Sequence, residues 1–183
     1  MQSRTVPKKT KKRTVPKKTF LTVARLVKQK GIDRFIRVHK RLLDEGFFHE
    51  VYVIGDGEEK EKLLELVRKF KVENTFIFLG KKENPYPYMK SADYFTLLSC
   101  YEGYGMVIEE AKILNKPIII TNTAAVEAVR DYNKKLIVEN DEESIYKALK
   151  DTLDGKYEFL NNNNEDYIYD NKYLLDDIKK LLE

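Results

Sequence analysis

The sequence predicts an α/β fold in which a parallel sheet of six strands carries helices on both faces. From residue 20 onward, short runs of apolar and β-branched residues alternate with segments whose apolar residues recur at helical spacing. Several of the short runs are apolar throughout, which is typical of strands buried on both faces. The chain has 183 residues, which suffice for one such domain with a short appendage.

Strands and helices alternate along the predicted domain. The predicted strands cover residues 20–24, 50–54, 75–79, 94–98, 117–121 and 135–138. The predicted helices cover residues 32–45, 58–70, 86–91, 105–115, 124–130 and 142–153. In an open parallel sheet, ligands bind at the carboxyl ends of the strands, beside the point where the strand order reverses. We therefore expect the functional residues in loops that directly follow strands.

Both ends of the chain differ in composition from the predicted domain at residues 20–160. Residues 1–19 contain eight Lys or Arg and no acid, and the heptad Arg-Thr-Val-Pro-Lys-Lys-Thr occurs in them twice. Because the whole chain carries +4, residues 20–183 carry −4. We interpret residues 1–19 as a flexible basic tail, either a linker, an addition from expression, or an arm for an anionic membrane surface or nucleic acid without sequence specificity. Residues 161–183 begin with four asparagines and predict a polar linker and a C-terminal helix.

Composition points to a cytoplasmic protein. No run of about 18 apolar residues predicts a membrane span, and the basic N-terminus lacks the apolar stretch of a signal peptide. Cys100 is the single cysteine, so an internal disulfide is excluded and a reducing compartment fits. We expect its thiol to be buried rather than catalytic, because no histidine lies near it in the sequence. If the basic tail binds lipid, the protein would act at the inner face of the membrane.

Residues 99–111 are the segment that says most about chemistry. They read Ser-Cys-Tyr-Glu-Gly-Tyr-Gly-Met-Val-Ile-Glu-Glu-Ala, a glycine-rich turn followed by the start of a predicted helix. The free N–H groups and the positive dipole end of a helix N-terminus suit phosphate. The carboxylates of Glu102 and Glu110 suit sugar hydroxyls. This combination predicts a nucleotide-sugar site.

Helical register distinguishes the two adjacent glutamates of this segment. Glu110 is predicted to lie within an apolar stripe, whereas Glu109 is predicted to face the polar side beside Lys112. The other members of that stripe are Met106, Val107, Ile113 and Leu114. Burying a polar group without a partner costs about 2–7 kcal/mol, and the two hydroxyls of a ribose would supply donors to Glu110. An ion pair with a lysine is the structural alternative.

Two cations lie in the loop after the first predicted strand. Residues 22–31 read Thr-Val-Ala-Arg-Leu-Val-Lys-Gln-Lys-Gly and contain Arg25 and Lys30. Arginine binds phosphate through its planar fork and lysine as a point charge, so together they could clamp a diphosphate. For Lys30 an ordinary solvated loop is the alternative.

Other motifs carry weaker signals. Gly55-Asp56-Gly57 follows the second strand as a tight turn that could also contact the ligand, but no third glycine follows at the dinucleotide-binding spacing. His39 lies on the apolar stripe of the first helix and predicts a packing role, while His49 shows no partner in the sequence. The chain contains no Asp-x-Asp and no motif with metal-ligand spacing, which predicts chemistry without a metal. It also contains no nucleophile elbow and no phosphate loop, which disfavours hydrolases and nucleoside triphosphatases.

These residues resemble a known family. The segment Glu-Gly-Tyr-Gly-Met-Val-Ile-Glu-Glu-Ala is similar to the Glu-x7-Glu signature of family 4 retaining glycosyltransferases, whose GT-B fold contains two Rossmann-like domains. Further matches are Val-Ala-Arg-Leu and Lys-Gly within 23–31, Ile-Gly-Asp-Gly at 54–57, Phe-Leu-Gly at 78–80 and Asn-Lys-Pro-Ile-Ile-Ile-Thr at 115–121. The resemblance extends over roughly residues 20–155. It implies a Rossmann-like domain that forms the C-terminal, donor-binding half of a GT-B fold.

The resemblance also implies roles for individual residues. Glu102, Arg25 and Lys30 would be catalytic: the two cations would bind the donor diphosphate, and Glu102 would contact the donor sugar near the reacting carbon. Donor binding would involve Gly103, Tyr104, Gly105, Met106, Glu110, Gly55, Gly57 and Lys82. Among these, Glu110 would hold the ribose and Lys82 would lie at the edge of the base. The departing diphosphate would accept the proton of the acceptor, with no metal and with retention of configuration.

Two departures from the family pattern affect the expected function. Ala124-Ala125-Val126-Glu127 stands where the family often has Gly-Gly before a glutamate, so a donor-contacting role for Glu127 is doubtful. The family's N-terminal acceptor domain is also missing. We therefore expect a hexosyltransferase domain of surface polysaccharide or glycolipid synthesis that binds a UDP-, GDP- or ADP-sugar, needs no cofactor and is inactive alone. The alternative is a non-catalytic nucleotide- or sugar-binding module.

Overall fold

The computed structural model describes residues 17–157 and residue 160. The strands are β1 (Lys18–Val23), β2 (His49–Ile54), β3 (Phe76–Gly80), β4 (Tyr94–Leu97), β5 (Ile118–Thr121) and β6 (Lys135–Val138). The α-helices are α1 (Ile32–Asp44), α2 (Lys60–Phe70), α3 (Tyr86–Ser91), α4 (Met106–Ile113) and α5 (Glu142–Leu153), and 3₁₀ turns cover Lys28–Lys30 and Ala124–Val129. No helix in this part of the chain is both long and apolar enough to cross a membrane.

The strands form one parallel sheet in the order β3-β2-β1-β4-β5-β6. The predicted α/β fold class is thereby confirmed. The order reverses between β1 and β4, so the loops after these two strands lie next to each other at the carboxyl edge of the sheet. This edge therefore has the switch-point geometry at which α/β proteins bind ligands.

Successive side chains of each strand point to opposite faces, so an apolar core lies on each face of the sheet. Phe20, Val51 and Ile119 belong to a core with side chains from α1, α2 and α5. Leu21, Ile54 and the neighbouring strand residues pack on the opposite face with α3, α4 and the 3₁₀ turn. Both faces are thus covered, which explains why the strands read as nearly continuous apolar runs.

The predicted boundary of the basic tail is two residues too late. Lys18 and Thr19 belong to β1, because Asp93 accepts hydrogen bonds from the backbone N–H and the hydroxyl of Thr19 at 2.8 and 2.9 Å. At the other end, Leu160 is buried in the core beside α1 and α5. The predictions for residues 1–16 and for the linker and helix at 161–183 lie outside the described residues.

Two buried histidines form a hydrogen-bonded chain under α1. His39 Nδ1 lies 2.8 Å from His49 Nε2, and His39 Nε2 lies 2.9 Å from the hydroxyl of Thr75. His49 Nδ1 lies 2.8 Å from the carbonyl oxygen of Phe47, to which it donates. The packing role predicted for His39 is confirmed. His49, for which the sequence showed no partner, is hydrogen-bonded to His39 and to the carbonyl oxygen of Phe47.

Candidate functional site

The loops after the first three strands enclose a cleft at the carboxyl edge of the sheet. Its volume is about 500 Å³, and it is lined by Val23, Ala24, Arg25, Ile54, Gly55, Asp56, Lys81 and Lys82. Arg25 is exposed, and its guanidinium makes no hydrogen bond or ion pair with any described residue. Lys82 lies with its ammonium 5.6 Å from the centre of the Tyr88 ring. The cleft therefore offers cations to a ligand.

The Gly-Asp-Gly turn packs tightly against the backbone of the loop after β1, and its two glycines leave the space for this contact. A Cβ on Gly55, whose φ is +146°, would lie 1.9 Å from the carbonyl oxygen of Ala24, and a Cβ on Gly57 would lie 2.4 Å from that of Leu26. The backbones of the two loops are joined by hydrogen bonds from Ala24 N to Ile54 O and from Leu26 N to Asp56 O, at 3.0 and 2.9 Å. This packing accounts for both glycines, and Gly55 also lines the cleft.

Lys30 and Glu102 are brought together across the switch point of the sheet. Their side chains form an ion pair and are only 16% and 14% exposed. The Ser99 hydroxyl lies 3.4 Å from the same carboxylate of Glu102. Seventy-two residues separate the two partners in the chain, and the parallel topology alone makes them neighbours. Both were candidate catalytic residues from the sequence.

The glycine-rich turn leads directly into α4. Gly105 is the N-cap residue of this helix, and no side chain caps its N-terminus. The N–H of Ile108 donates to the carbonyl oxygen of Gly105 at 2.9 Å, which leaves the N–H groups of Met106 and Val107 available to an anion. Gly103 is exposed with open space around it. This part of the site has the properties that a phosphate requires.

Glu110 lies half-buried on α4, opposite the start of α3. Burial raises the pKa of its carboxyl, and the hydroxyl of Tyr86, 3.5 Å away, opposes that rise. Burial and the nearby Glu110 charge also raise the pKa of Tyr86. A half-buried carboxylate with one long hydrogen bond has acceptor capacity left for hydroxyl donors.

The register predicted for α4 is wrong in part. Its fully buried residues are Ile108, Ala111 and Lys112, whereas Met106 is 77% exposed. Lys112 pairs with Glu109 at 2.9 Å and donates to the carbonyl oxygen of Ala128 at 2.8 Å. Lysine thus packs on the face that the sequence assigned to solvent, because an ion pair and a carbonyl oxygen satisfy its charge there.

The thiol of Cys100 is exposed, not buried as predicted. β4 ends at Leu97, and the backbone N–H of Cys100 donates to the carbonyl oxygen of Gln29 at 2.8 Å. Cys100 therefore lies beyond the end of the strand, and strand alternation does not place its side chain in the core. Glu127 is exposed and pairs with Arg130 at 2.5 Å.

Two polar residues near the site were not among the sequence candidates. Arg34 is a buried residue of α1, and Asn140 follows β6. Because Asn140 lies in a loop that directly follows a strand, the search for site residues after strands could have identified it. Arg34 carried no such signal, because its partners come from distant loops. Residues 17–157 and 160 contain no group of three or more His, Cys, Asp or Glu able to hold a metal ion, and metal independence stays a prediction.

Comparison with known proteins identifies the family of the chain. The family model of the group 1 glycosyl transferases matches residues 4–172. A Campylobacter jejuni protein named N-acetylgalactosamine-N,N'-diacetylbacillosaminyl-diphospho-undecaprenol 4-alpha-N-acetylgalactosaminyltransferase is 31% identical over 140 residues, which cover 75% of this chain and 38% of that protein. The first three curated relatives are matched over only 25% to 38% of their own length.

Solved structures agree on the fold. S. aureus TarM, solved in a complex that includes UDP, superposes with a TM-score of 0.72 at 20% identity, over 90% of this chain and 34% of that chain. The C-terminal domain of the group 1 protein LpcC from Francisella tularensis superposes with a TM-score of 0.65 at 24% identity, over 80% of both chains. The chain therefore belongs to the group 1 glycosyltransferases, and its fold is the Rossmann-like domain of the GT-B architecture.

Proposed function

We propose that this chain is the domain of a retaining glycosyltransferase that binds the nucleoside diphosphate sugar donor. The observation that carries the proposal is that positively charged groups and carboxylates lie at the same edge of the sheet. Arg25, Lys30 and the uncapped N-terminus of α4 offer positive charge, whereas Glu102 and Glu110 offer acceptors for hydroxyls. A nucleotide sugar is a ligand that needs both.

The diphosphate is assigned to the cationic part of the site. Arg25 has no protein partner among the described residues, and its planar fork suits two phosphate oxygens. Lys30 keeps Glu102 as one partner, and an ammonium has three N–H donors, so it can serve a phosphate at the same time. The N–H groups of Gly103, Tyr104, Gly105 and Met106 would complete the cradle.

The nucleoside is assigned to Glu110 of α4 and to the loop after β3. Glu110 would accept hydrogen bonds from the two ribose hydroxyls, which supplies the partners that its half-buried carboxylate lacks. Lys81 and Lys82 line the cleft that the loops after the first three strands enclose, with Lys82 at the edge of the base. UDP, GDP and ADP all fit this chemistry.

The catalytic contribution of the domain would be electrostatic. Negative charge grows on the diphosphate as the bond to the sugar breaks, and Arg25, Lys30 and the α4 N–H groups would stabilise it there. A well-placed donor of this kind contributes about 3–4 kcal/mol. Glu102, held by Lys30, would contact the sugar near the reacting carbon. The departing diphosphate would accept the proton of the acceptor.

The acceptor side of the active site is assigned to a second domain. The large side chains of Tyr101, Tyr104 and Met106 beside Glu102 are 65% to 77% exposed, which suits a surface that another wall covers. Curated relatives include glycosyltransferases of amylovoran biosynthesis and of capsular polysaccharide biosynthesis. We assign the whole protein to surface polysaccharide or glycolipid synthesis. Action in the cytoplasm, and contact of the basic tail with an anionic membrane surface, stay predictions.

Calorimetric titration with UDP, GDP and ADP tests donor binding. We expect one of the three to bind, and Arg25→Ala and Glu110→Gln each to weaken it about ten-fold or more, as expected when a charge-assisted contact worth 1.5–3 kcal/mol is lost. Arg68→Ala and Glu65→Gln are matched controls, since both residues are exposed on α2. Unchanged affinity in both site variants would overturn the proposal.

Turnover tests the second half of the proposal. If the acceptor site lies in another domain, residues 1–183 should release no UDP, GDP or ADP from a nucleotide sugar above the spontaneous rate when a glycolipid acceptor is added. Efficient transfer by this chain alone would contradict the assignment of the acceptor site to another domain.

A further inference from the structure

Arg34 is a buried arginine whose hydrogen bonds go to neutral oxygens. The residue is 8% exposed on α1. Its Nε and Nη2 donate to the carbonyl oxygen of Leu98 at 3.2 and 2.7 Å, and Nη2 also donates to Asn140 Oδ1 at 2.7 Å. A buried charge is costly unless hydrogen bonds satisfy it. A rigid guanidinium fork does so here while bridging two separate loops, which a shorter apolar residue could not do.

Asn140 extends the bridge to the loop that carries Glu102. Its Nδ2 donates to the carbonyl oxygen of Cys100 at 2.8 Å. From the other side, the N–H groups of Cys100 and Tyr101 donate to the carbonyl oxygen of Gln29 at 2.8 and 3.3 Å. Residues 98–101 are therefore held by α1, by the loop after β6 and by the turn that contains Lys30.

Gly31 allows the start of α1 to lie close to the backbone of residues 98–101. Its φ is +63°, and a Cβ at this position would lie 2.6 Å from the carbonyl oxygen of Leu98 and 2.8 Å from Nε of Arg34. Gly31 directly follows Lys30, and Glu102 directly follows the held segment. The packing of Arg34 against Leu98 thus sets the spacing between the two backbones that present Lys30 and Glu102.

We infer that Arg34 and Asn140 are positioning residues of the donor site. They hold residues 98–101 so that Glu102 meets Lys30 and the glycine-rich turn faces the ligand. Neither residue touches the ligand in this role. The inference rests on the proposed function for its effect on nucleotide binding, whereas its effect on the loop does not depend on any ligand.

The single cysteine of the chain lies within the held segment, so it reports on the loop directly. A nitroxide spin label attached to the exposed Cys100 should give a slow, ordered spectrum in the wild-type protein. In Arg34→Gln and Asn140→Ala we expect a fast component to appear, because one side of the loop is released. Arg37→Gln is the matched control: Arg37 lies on the same helix and pairs with Asp33 and Glu142 at 3.1 and 2.8 Å, away from this loop.

Nucleotide affinity and unfolding temperature complete the test. Calorimetry with UDP, GDP and ADP should show a loss of about ten-fold in affinity for Arg34→Gln and Asn140→Ala, since a released loop must be ordered again when the nucleotide binds. The Arg37→Gln control should stay within two-fold. If the wild type binds none of the three nucleotides while the spin label behaves as expected, the proposed function fails and the positioning role stands.

A lower unfolding temperature with an unchanged spectrum and unchanged affinity would make Arg34 a structural residue and overturn the inference. Arg34→Gln removes a buried charge and could fail to fold, which far-UV circular dichroism would show. Asn140 is exposed, and Asn140→Ala then carries the same test on a folded protein.

Discussion

Acid should destabilise this protein well above the range in which carboxylates titrate, because of the pair His39 and His49. Burial and, to a smaller extent, the neighbouring His49 lower the pKa of His39 from the usual 6.5 to about 3. Burial lowers the pKa of His49 to about 4, although its hydrogen bond to the Phe47 carbonyl opposes this. Both imidazoles are therefore neutral in the folded state at pH 5, whereas both are protonated in the unfolded chain.

The sign and size follow from proton linkage. The unfolded state binds more protons below pH 6.5, so the stability is fully present above that pH and is lost as the pH falls toward 4. With the values above, the free energy of unfolding should fall by about 4 kcal/mol between pH 7 and pH 5. That is a large share of a typical total of about 5–15 kcal/mol. Glu110 acts in the opposite direction, since burial raises its pKa.

Urea unfolding followed by far-UV circular dichroism at several pH values measures this loss. The chain has only two histidines and no tryptophan, so the double variant His39→Gln, His49→Gln removes every imidazole. It should be less stable at pH 7 but should lose about 1 kcal/mol or less between pH 7 and pH 5. A wild-type loss below about 1 kcal/mol, or an equal loss in the double variant, would refute the reasoning.

The other predictions concern a glycine with positive φ and a lysine–glutamate ion pair. Gly31→Ala should lower the unfolding temperature more than Gly46→Ala: both have positive φ, but only the first would place its Cβ against Leu98, and equal shifts would contradict the clash. Lys112→Ala should cost about 1–3 kcal/mol, because the carboxylate of Glu109 loses its ion-pair partner and keeps only the Tyr104 hydroxyl as a donor. The double variant Lys112→Met, Glu109→Leu should recover most of that loss in urea unfolding, and no recovery would mean that the ion pair is not the cause.

Much of the fold could be predicted from local pattern. All six strands and the five α-helices were found within a few residues, because runs such as Ile118–Thr121 and stripes such as that of α1 are buried on the faces that their periodicity indicates. The predicted helix at 124–130 is a 3₁₀ turn at Ala124–Val129 in the structure, and the other errors lie at the ends of elements. β1 begins at Lys18 because Asp93, far away in the chain, binds Thr19, and no local pattern contains that contact.

The candidate site also has one part that could be predicted from the sequence and one part that could not. Arg25, Lys30 and Glu102 follow strands in the sequence, so a parallel sheet was enough to expect them at one edge. The side of α4 that is buried could not be read from its residues. Lys112 looks like a solvent residue until Glu109 and the Ala128 carbonyl oxygen are placed around it.

The sequence by itself determined the alternation of strands and helices, and it indicated the loops that carry the candidate site and the ligand that we propose for them. These properties depend on residues close together in the chain. Only the tertiary structure decided that Lys30 pairs with Glu102, that Arg34 and Asn140 hold the loop between them, and that Cys100 faces solvent. Each depends on atoms that the reversal of strand order between β1 and β4 brings together, and contacts of that kind leave no periodic signal in the sequence.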